Sequence, residues 1–115
     1  MPRNIPGEPY TRVTALEAKE ILDSQDAIVI DVRNKDEYEE GHVAGATWLP
    51  VEEVIARFDD LPTEGKLFFI CQVGARSGLA AEYAAAMGAD SDRLFNIEEG
   101  TPGWISAGLP HETGA

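Results

Sequence analysis

Cysteine is almost missing from this chain: Cys71 stands alone among 115 residues, which excludes an internal disulfide. Metal ligands are equally sparse. His42 and His111 lie far apart in the chain and, with one cysteine, make no zinc pattern, so neither a metal nor a cofactor is expected. Basic residues are few, with 9 Lys and Arg against 21 Asp and Glu, for a net charge of −12. Such a surface argues against nucleic acid and anionic membranes as partners, because both require cationic contacts. No apolar run approaches the roughly 20 residues that cross a bilayer, and the N-terminus lacks a signal-peptide core. With the lone cysteine, this makes the reducing cytoplasm the expected compartment. There is no internal repeat and no low-complexity segment. What remains is one globular domain, 43% apolar and long enough for a real core.

The informative segment surrounds the cysteine. Leu67-Phe68-Phe69-Ile70 suits a strand buried on both faces of a parallel sheet. Residues 76–87, rich in Ala, Leu and Glu, have strong helix propensity. Between them Cys71-Gln72-Val73-Gly74-Ala75-Arg76-Ser77-Gly78 must curl, so that several N–H groups converge at a helix N-terminus. Such a nest attracts anions and favours a thiolate over a thiol. A free cysteine is often a buried core thiol. Arg76 and the two glycines favour chemistry instead, since a residue that closes a core strand needs no guanidinium five positions later.

The remaining elements alternate. Residues 1–9 read as an extended arm, residues 10–110 as the domain and residues 111–115 as an irregular tail that leaves His111 solvated. Tyr10 to Val13 is a short strand. Thr14-Ala15-Leu16-Glu17 matches a capping box, and the helix it opens runs to about Asp23, with Leu16, Ile21 and Leu22 near one apolar face. Ala27-Ile28-Val29-Ile30 is a second buried strand, and Asn34 to Glu40 is helix-compatible. Thr47 to Leu49 is a brief strand, Val51 to Phe58 a helix, and Leu94-Phe95-Asn96-Ile97 a last strand followed by one helical turn. Alternating strands and helices predict parallel pairing with helices on both faces, and ligands beyond the carboxyl ends of the strands. Cys71 sits at such an end.

Several separated features then agree. Asp31-Val32-Arg33, Glu37-Tyr38-Glu39-Glu40-Gly41-His42-Val43-Ala44-Gly45-Ala46, Cys71 with Arg76-Ser77, Gly100 and Gly103-Trp104 together resemble a single-domain rhodanese over nearly the whole chain. The resemblance implies an α/β fold with a five-stranded parallel sheet and a sulfurtransferase activity. Cys71 would take sulfane sulfur from a small-molecule donor, hold it as a persulfide and pass it to a thiophilic acceptor. Arg76 would orient an anion, and the loop from Gln72 through Val73, Gly74, Ala75 and Arg76 to Ser77 would cradle the persulfide or the donor. Two departures stand out. Many active relatives carry further basic residues where this chain has Gln72 and Val73, and a diglycine is more usual where it has Glu98-Glu99-Gly100. A less positive rim on an acidic protein points to a larger persulfide or a protein partner as donor, rather than thiosulfate.

Other residues keep two readings. His42 falls in a motif that is structural in this family, which favours a hydrogen-bonding role over that of a base. Asp31 and Arg33 read as an ion pair at a strand end before a charged site. Trp104 either walls the site or packs the last helix. The acidic cluster Asp36, Glu37, Glu39 and Glu40 is a solvated face or a partner patch. Two other functions compete: a Cys/Arg-loop oxyanion enzyme (phosphatase or arsenate reductase), and a rhodanese-like binding module without catalysis. The first usually has five residues between Cys and Arg, and four stand here. The second often lacks the cysteine. A thiol or a sulfur-acceptor protein is the expected partner, and a monomer or simple homodimer the expected assembly.

Overall fold

In a computed structural model describing residues 1–114, the strands β1 (Thr11–Val13), β2 (Ala27–Asp31), β4 (Thr47–Trp48), β5 (Lys66–Ile70) and β6 (Leu94–Ile97) form one sheet in the order β1-β6-β5-β2-β4. Every pairing in it is parallel. The parallel pairing is what the alternating pattern predicts, and the five strands are what the resemblance implies. β5 occupies the centre, so its apolar run is covered on both faces. Leu67 and Phe69 join one core with Ile30, Leu94 and the alanines Ala80, Ala81 and Ala84 of α3 (Ala75–Ala86). Phe68 and Ile70 point to the opposite core with Val13, Ala15, Ala18 and Trp104, as the two-residue period of a strand requires.

The second face is closed by α1 (Ala15–Ser24) and α4 (Gly100–Ser106). The capping box opens α1 as expected: the Glu17 amide donates to Thr14 Oγ1 at 3.2 Å, and the Thr14 amide to Glu17 Oε1 at 2.8 Å. Leu16, however, is 63% exposed, and Ala15 and Ala18 face the sheet in its place with Ile21 and Leu22 beside them. The small residues let the helix approach closely, which turns Leu16 outward. α4 is also longer than the single turn predicted.

Two further segments differ from the sequence reading. Residues 51–58 are not one helix but part of a run with 3-10 turns at Val51–Glu53 and Phe58–Asp60. The backbone leaves helical geometry at Arg57 (φ −112°, ψ 18°), which lets both Val54 and Leu61 reach the core. After Leu109 and Pro110 the chain does not trail away irregularly. β7 (His111–Glu112) pairs antiparallel with β3 (His42–Val43), while His111 itself stays exposed. At the other terminus Arg3 exchanges two backbone hydrogen bonds with Arg12, at 2.9 and 2.8 Å, so the extended arm covers the β1 edge.

Candidate active site

Cys71 follows the last residue of the central strand, and α3 begins four residues later. Gly74 makes the reversal: its φ of 90° is left-handed, and a Cβ there would stand 2.8 Å from the Glu98 carbonyl oxygen. Gly100 has φ 71°, and a Cβ on it would lie 2.1 Å from the Gln72 carbonyl oxygen. The Thr101 amide donates to the Cys71 carbonyl at 2.8 Å. The loops after β5 and β6 are thereby locked backbone to backbone.

The Cys71 side chain is turned into its own loop and is fully buried. Its Sγ accepts from the Gly74 amide at 3.1 Å and lies 3.2 Å from Ser77 Oγ. Ser77 Oγ in turn donates to Asn96 Oδ1 at 2.6 Å, and Asn96 Nδ2 donates to the Gly74 carbonyl at 3.1 Å. A hydroxyl has one hydrogen, so while Asn96 holds it Ser77 offers Sγ a lone pair. An anionic sulfur competes with Asn96 for that hydrogen. Burial pushes the Cys71 thiol up, but the Ser77 hydroxyl and the amides of Ser77, Val73 and Gly74 outweigh it and hold the thiol below its ordinary value. The N-terminus of α3 adds its dipole in the same sense.

Arg76 engages Glu37 rather than the sulfur: its guanidinium donates in bidentate fashion to Oε1 and Oε2 at 2.7 and 2.9 Å. Glu37 belongs to α2 (Lys35–Glu40) and also accepts from the Asn34 amide at 3.0 Å. Hydrogen bonding to Arg76 is the main reason its carboxyl is lowered to about 2. Arg33 is fully enclosed. It binds Asp31 through Nε and Nη2 at 3.0 and 2.7 Å, the Gly41 carbonyl at 2.7 Å and Gln72 Oε1 at 3.2 Å. Asp31 and Arg33 thus tie β2, α2 and the cysteine loop together as a buried pair. His42 stacks on Tyr38 with ring centroids 3.7 Å apart, and its Nδ1 lies 2.7 Å from the Tyr38 carbonyl. Its partners belong to α2 and β7, not to the cysteine loop.

Trp104 lies in the core and not on the rim: it is 1% exposed, and its indole N–H donates to the Pro110 carbonyl at 2.8 Å. The second turn of α4 carries it under the helix. The rim is formed instead by Thr101, Pro102 and Ile105 facing Gln72, Arg33 and Glu37 across a cleft of about 500 Å³. The Thr101 hydroxyl is buried there without a hydrogen-bond partner. Val73 projects from the loop at 77% exposure, while Ala75 lines the opposite side beside Gly74 and Asn96. Glu99, at the departure from diglycine, accepts from the Ala15 amide at 2.7 Å and so serves the start of α1.

Sequence reasoning passed over Asn96, although a polar residue inside a buried strand must find hydrogen-bond partners. It also placed Glu37 in the resemblance motif and in an acidic cluster read as a solvated face or a partner patch, not as the partner of Arg76. Among the described residues no group of His, Cys, Asp and Glu could hold a metal ion, and no helix is long and apolar enough to cross a membrane.

Comparison with known proteins agrees with this geometry. Residues 14–107 match the family described as Rhodanese-like domain. A sulfurtransferase from Allochromatium vinosum is 28% identical over 93 residues, which cover 81% of this chain and 85% of that protein. Thiosulfate sulfurtransferase GlpE from Actinobacillus pleuropneumoniae is 28% identical over 106 residues, covering 92% of this chain and 96% of the relative. A crystal structure of a rhodanese-related protein from Thermoplasma volcanium superposes with a TM-score of 0.77 at 27% identity, covering 88% of this chain and 96% of that one. The chain belongs to the rhodanese-like family, whose members include named sulfurtransferases.

Proposed function

We propose that the protein is a sulfurtransferase that carries sulfane sulfur on Cys71. The observation that carries this reading is the seat of Sγ, buried inside a ring of amides and the Ser77 hydroxyl at the start of α3. In the first step the thiolate attacks the sulfane sulfur of a donor, thiosulfate or a persulfide. One S–S bond forms on Cys71 as another breaks, and the donor leaves as sulfite or as a thiolate. The electron pair of the broken bond goes with the leaving group, and Cys71 holds a persulfide. The amides of Val73, Gly74 and Ser77 stabilise the negative charge on either form of the sulfur.

In the second step a thiophilic acceptor attacks the outer sulfur and Cys71 returns as a thiolate. Cyanide serves in assay, and a thiol or an acceptor protein in a reducing cytoplasm. With no second cysteine in the chain, the persulfide cannot collapse into an internal disulfide. An oxyanion enzyme fits less well, because its arginine must face the anion and Arg76 here is held by Glu37. A silent binding module has no use for a cradled thiol.

Intact mass after brief exposure to thiosulfate, and separately to glutathione persulfide, tests the proposal. A gain of about 32 Da, lost on adding cyanide and missing in Cys71→Ser, is expected of a thiolate that captures one sulfur. If neither donor adds mass, the sulfurtransferase reading is wrong.

A further inference from the structure

The surroundings of the loop contain several arginines, yet each is bound to a carboxylate. Arg76 is held by Glu37 and Arg33 by Asp31, while Arg12 donates to Glu8 Oε1 at 2.9 Å and Arg3 pairs with Glu98. Among the described residues the cleft beside Cys71 presents no unpaired cation. Glu37 and Glu40 line it, and the protein as a whole carries −12. Besides Arg33, which Asp31 holds, its remaining polar side chains are neutral: the Gln72 amide, Ser106 and the unpartnered Thr101 hydroxyl.

Thiosulfate is a compact dianion, and it leaves as another dianion, sulfite. Its approach is favoured by a free positive group near the reacting sulfur, since a charge-assisted partner offsets the cost of desolvating an anion. The reacting end of an organic persulfide makes no such demand. It reacts in its neutral R–S–SH form and departs as a monoanionic thiolate, and its body can use neutral hydrogen-bonding groups. The two arginines nearest the cleft differ in one respect. Arg33 is enclosed and fixed by three partners, Asp31, Gly41 and Gln72, whereas the Arg76–Glu37 pair is half-buried, with side chains 32% and 27% exposed. Only the second cation can be released by a single change.

We propose that Glu37 determines donor choice: by holding Arg76 it disfavours thiosulfate and leaves the cleft fitted to an organic persulfide. This rests on the sulfurtransferase reading and deepens it. The transfer balances as Cys71–S⁻ + R–S–SH → Cys71–S–SH + R–S⁻. The Sγ–S bond forms, the donor S–S bond breaks, the proton stays on the transferred sulfur, and no outside oxidant or reductant takes part.

The test is the second-order rate constant for Cys71 persulfide formation, read by rapid-quench intact mass with thiosulfate and with glutathione persulfide. Glu37→Gln keeps an oxygen for the Asn34 amide but removes the charge. It should raise the thiosulfate constant about tenfold relative to the persulfide constant, the size expected of one half-buried charge. In the double variant Glu37→Gln with Arg76→Gln that gain should vanish, which a general loosening of the cleft would not produce. The inference is overturned if the ratio of the two constants is unmoved in Glu37→Gln, if the double variant keeps the gain, or if the unaltered protein loads faster from thiosulfate. If the unaltered protein loads from neither donor, the sulfurtransferase reading itself fails and takes this one with it.

Discussion

The Ser77 hydroxyl donates to Asn96 Oδ1 across 2.6 Å, joining the first turn of α3 to the last strand of the sheet at the point where Cys71 Sγ comes within 3.2 Å of the same oxygen. One hydrogen therefore serves two acceptors. With a neutral thiol it stays with Asn96. When Sγ carries charge, the charge-assisted bond to sulfur is the stronger, and the hydroxyl turns. The persulfide anion of the proposed transfer would make the same demand as the thiolate.

Ser77→Ala should consequently raise the Cys71 thiol toward or above its ordinary value. The Ser77 hydroxyl is the largest influence that lowers it, and burial, which raises it, remains. The same change leaves Asn96 Oδ1 buried without its donor, at a cost of about 1–3 kcal/mol. Iodoacetamide alkylation followed against pH separates the two effects, because the midpoint moves upward only if the hydroxyl acts on the sulfur. An unmoved midpoint with lowered stability would leave Ser77 a packing role alone.

The acid limb of stability should depend on Glu37. Its carboxyl lies near 4.5 when free of Arg76 and at about 2 in the folded protein. A carboxyl lowered by folding contributes stability that is fully present above 4.5 and is lost as the pH falls toward 2. Urea midpoints measured from pH 6 to pH 2 should therefore fall less steeply in Glu37→Gln than in the unaltered protein. Equal slopes would mean that the pair with Arg76 does not persist in solution.

Much of this was legible in the residues and some was not, for physical reasons. The central strand, the cysteine loop and the Ala-rich helix announce themselves because burial on both faces, turn chemistry and helix propensity act locally there. The capping box of Thr14 and Glu17 is equally local. What failed was long-range. Leu16 is exposed because alanines allow α1 to lie close on the sheet, and residues 51–58 bend so that both Val54 and Leu61 reach the same core. The β3–β7 pairing joins segments some 70 positions apart that carry too few residues to show a period. The partner of Arg76 was hidden for the same reason: Glu37 is 39 positions away and looks like one more surface acid.

Ionic strength offers a test of the long-range field. With −12 on the protein, a dianion approaches against repulsion that salt screens beyond about 8 Å at physiological strength. Thiosulfate loading of Cys71 should hold steady or speed up as salt is raised. Strong inhibition by salt would reveal a functioning cationic funnel, which the paired arginines do not provide.

Gly100 links the fold to the site most directly. It carries no side chain of its own, yet at φ 71° it lies so close to the cysteine loop that a Cβ would come within 2.1 Å of the Gln72 carbonyl oxygen and 2.8 Å of the Cys71 carbonyl oxygen. Both obstacles are backbone, so no rotamer change can relieve them. Gly100→Ala must also adopt a left-handed conformation that costs an L-residue about 1–2 kcal/mol. The sum should exceed about 2 kcal/mol unless the loop moves, because backbone shifts of this kind carry costs of their own. If the loop does move, the amides of Val73 and Gly74 turn away from Sγ, and the thiol rises. The variant should therefore show both a lower urea midpoint and an upward shift in the pH midpoint of alkylation. Loss of stability with an unchanged thiol would mean that the loop keeps its shape without Gly100, and that the contact between the two loops serves the fold alone.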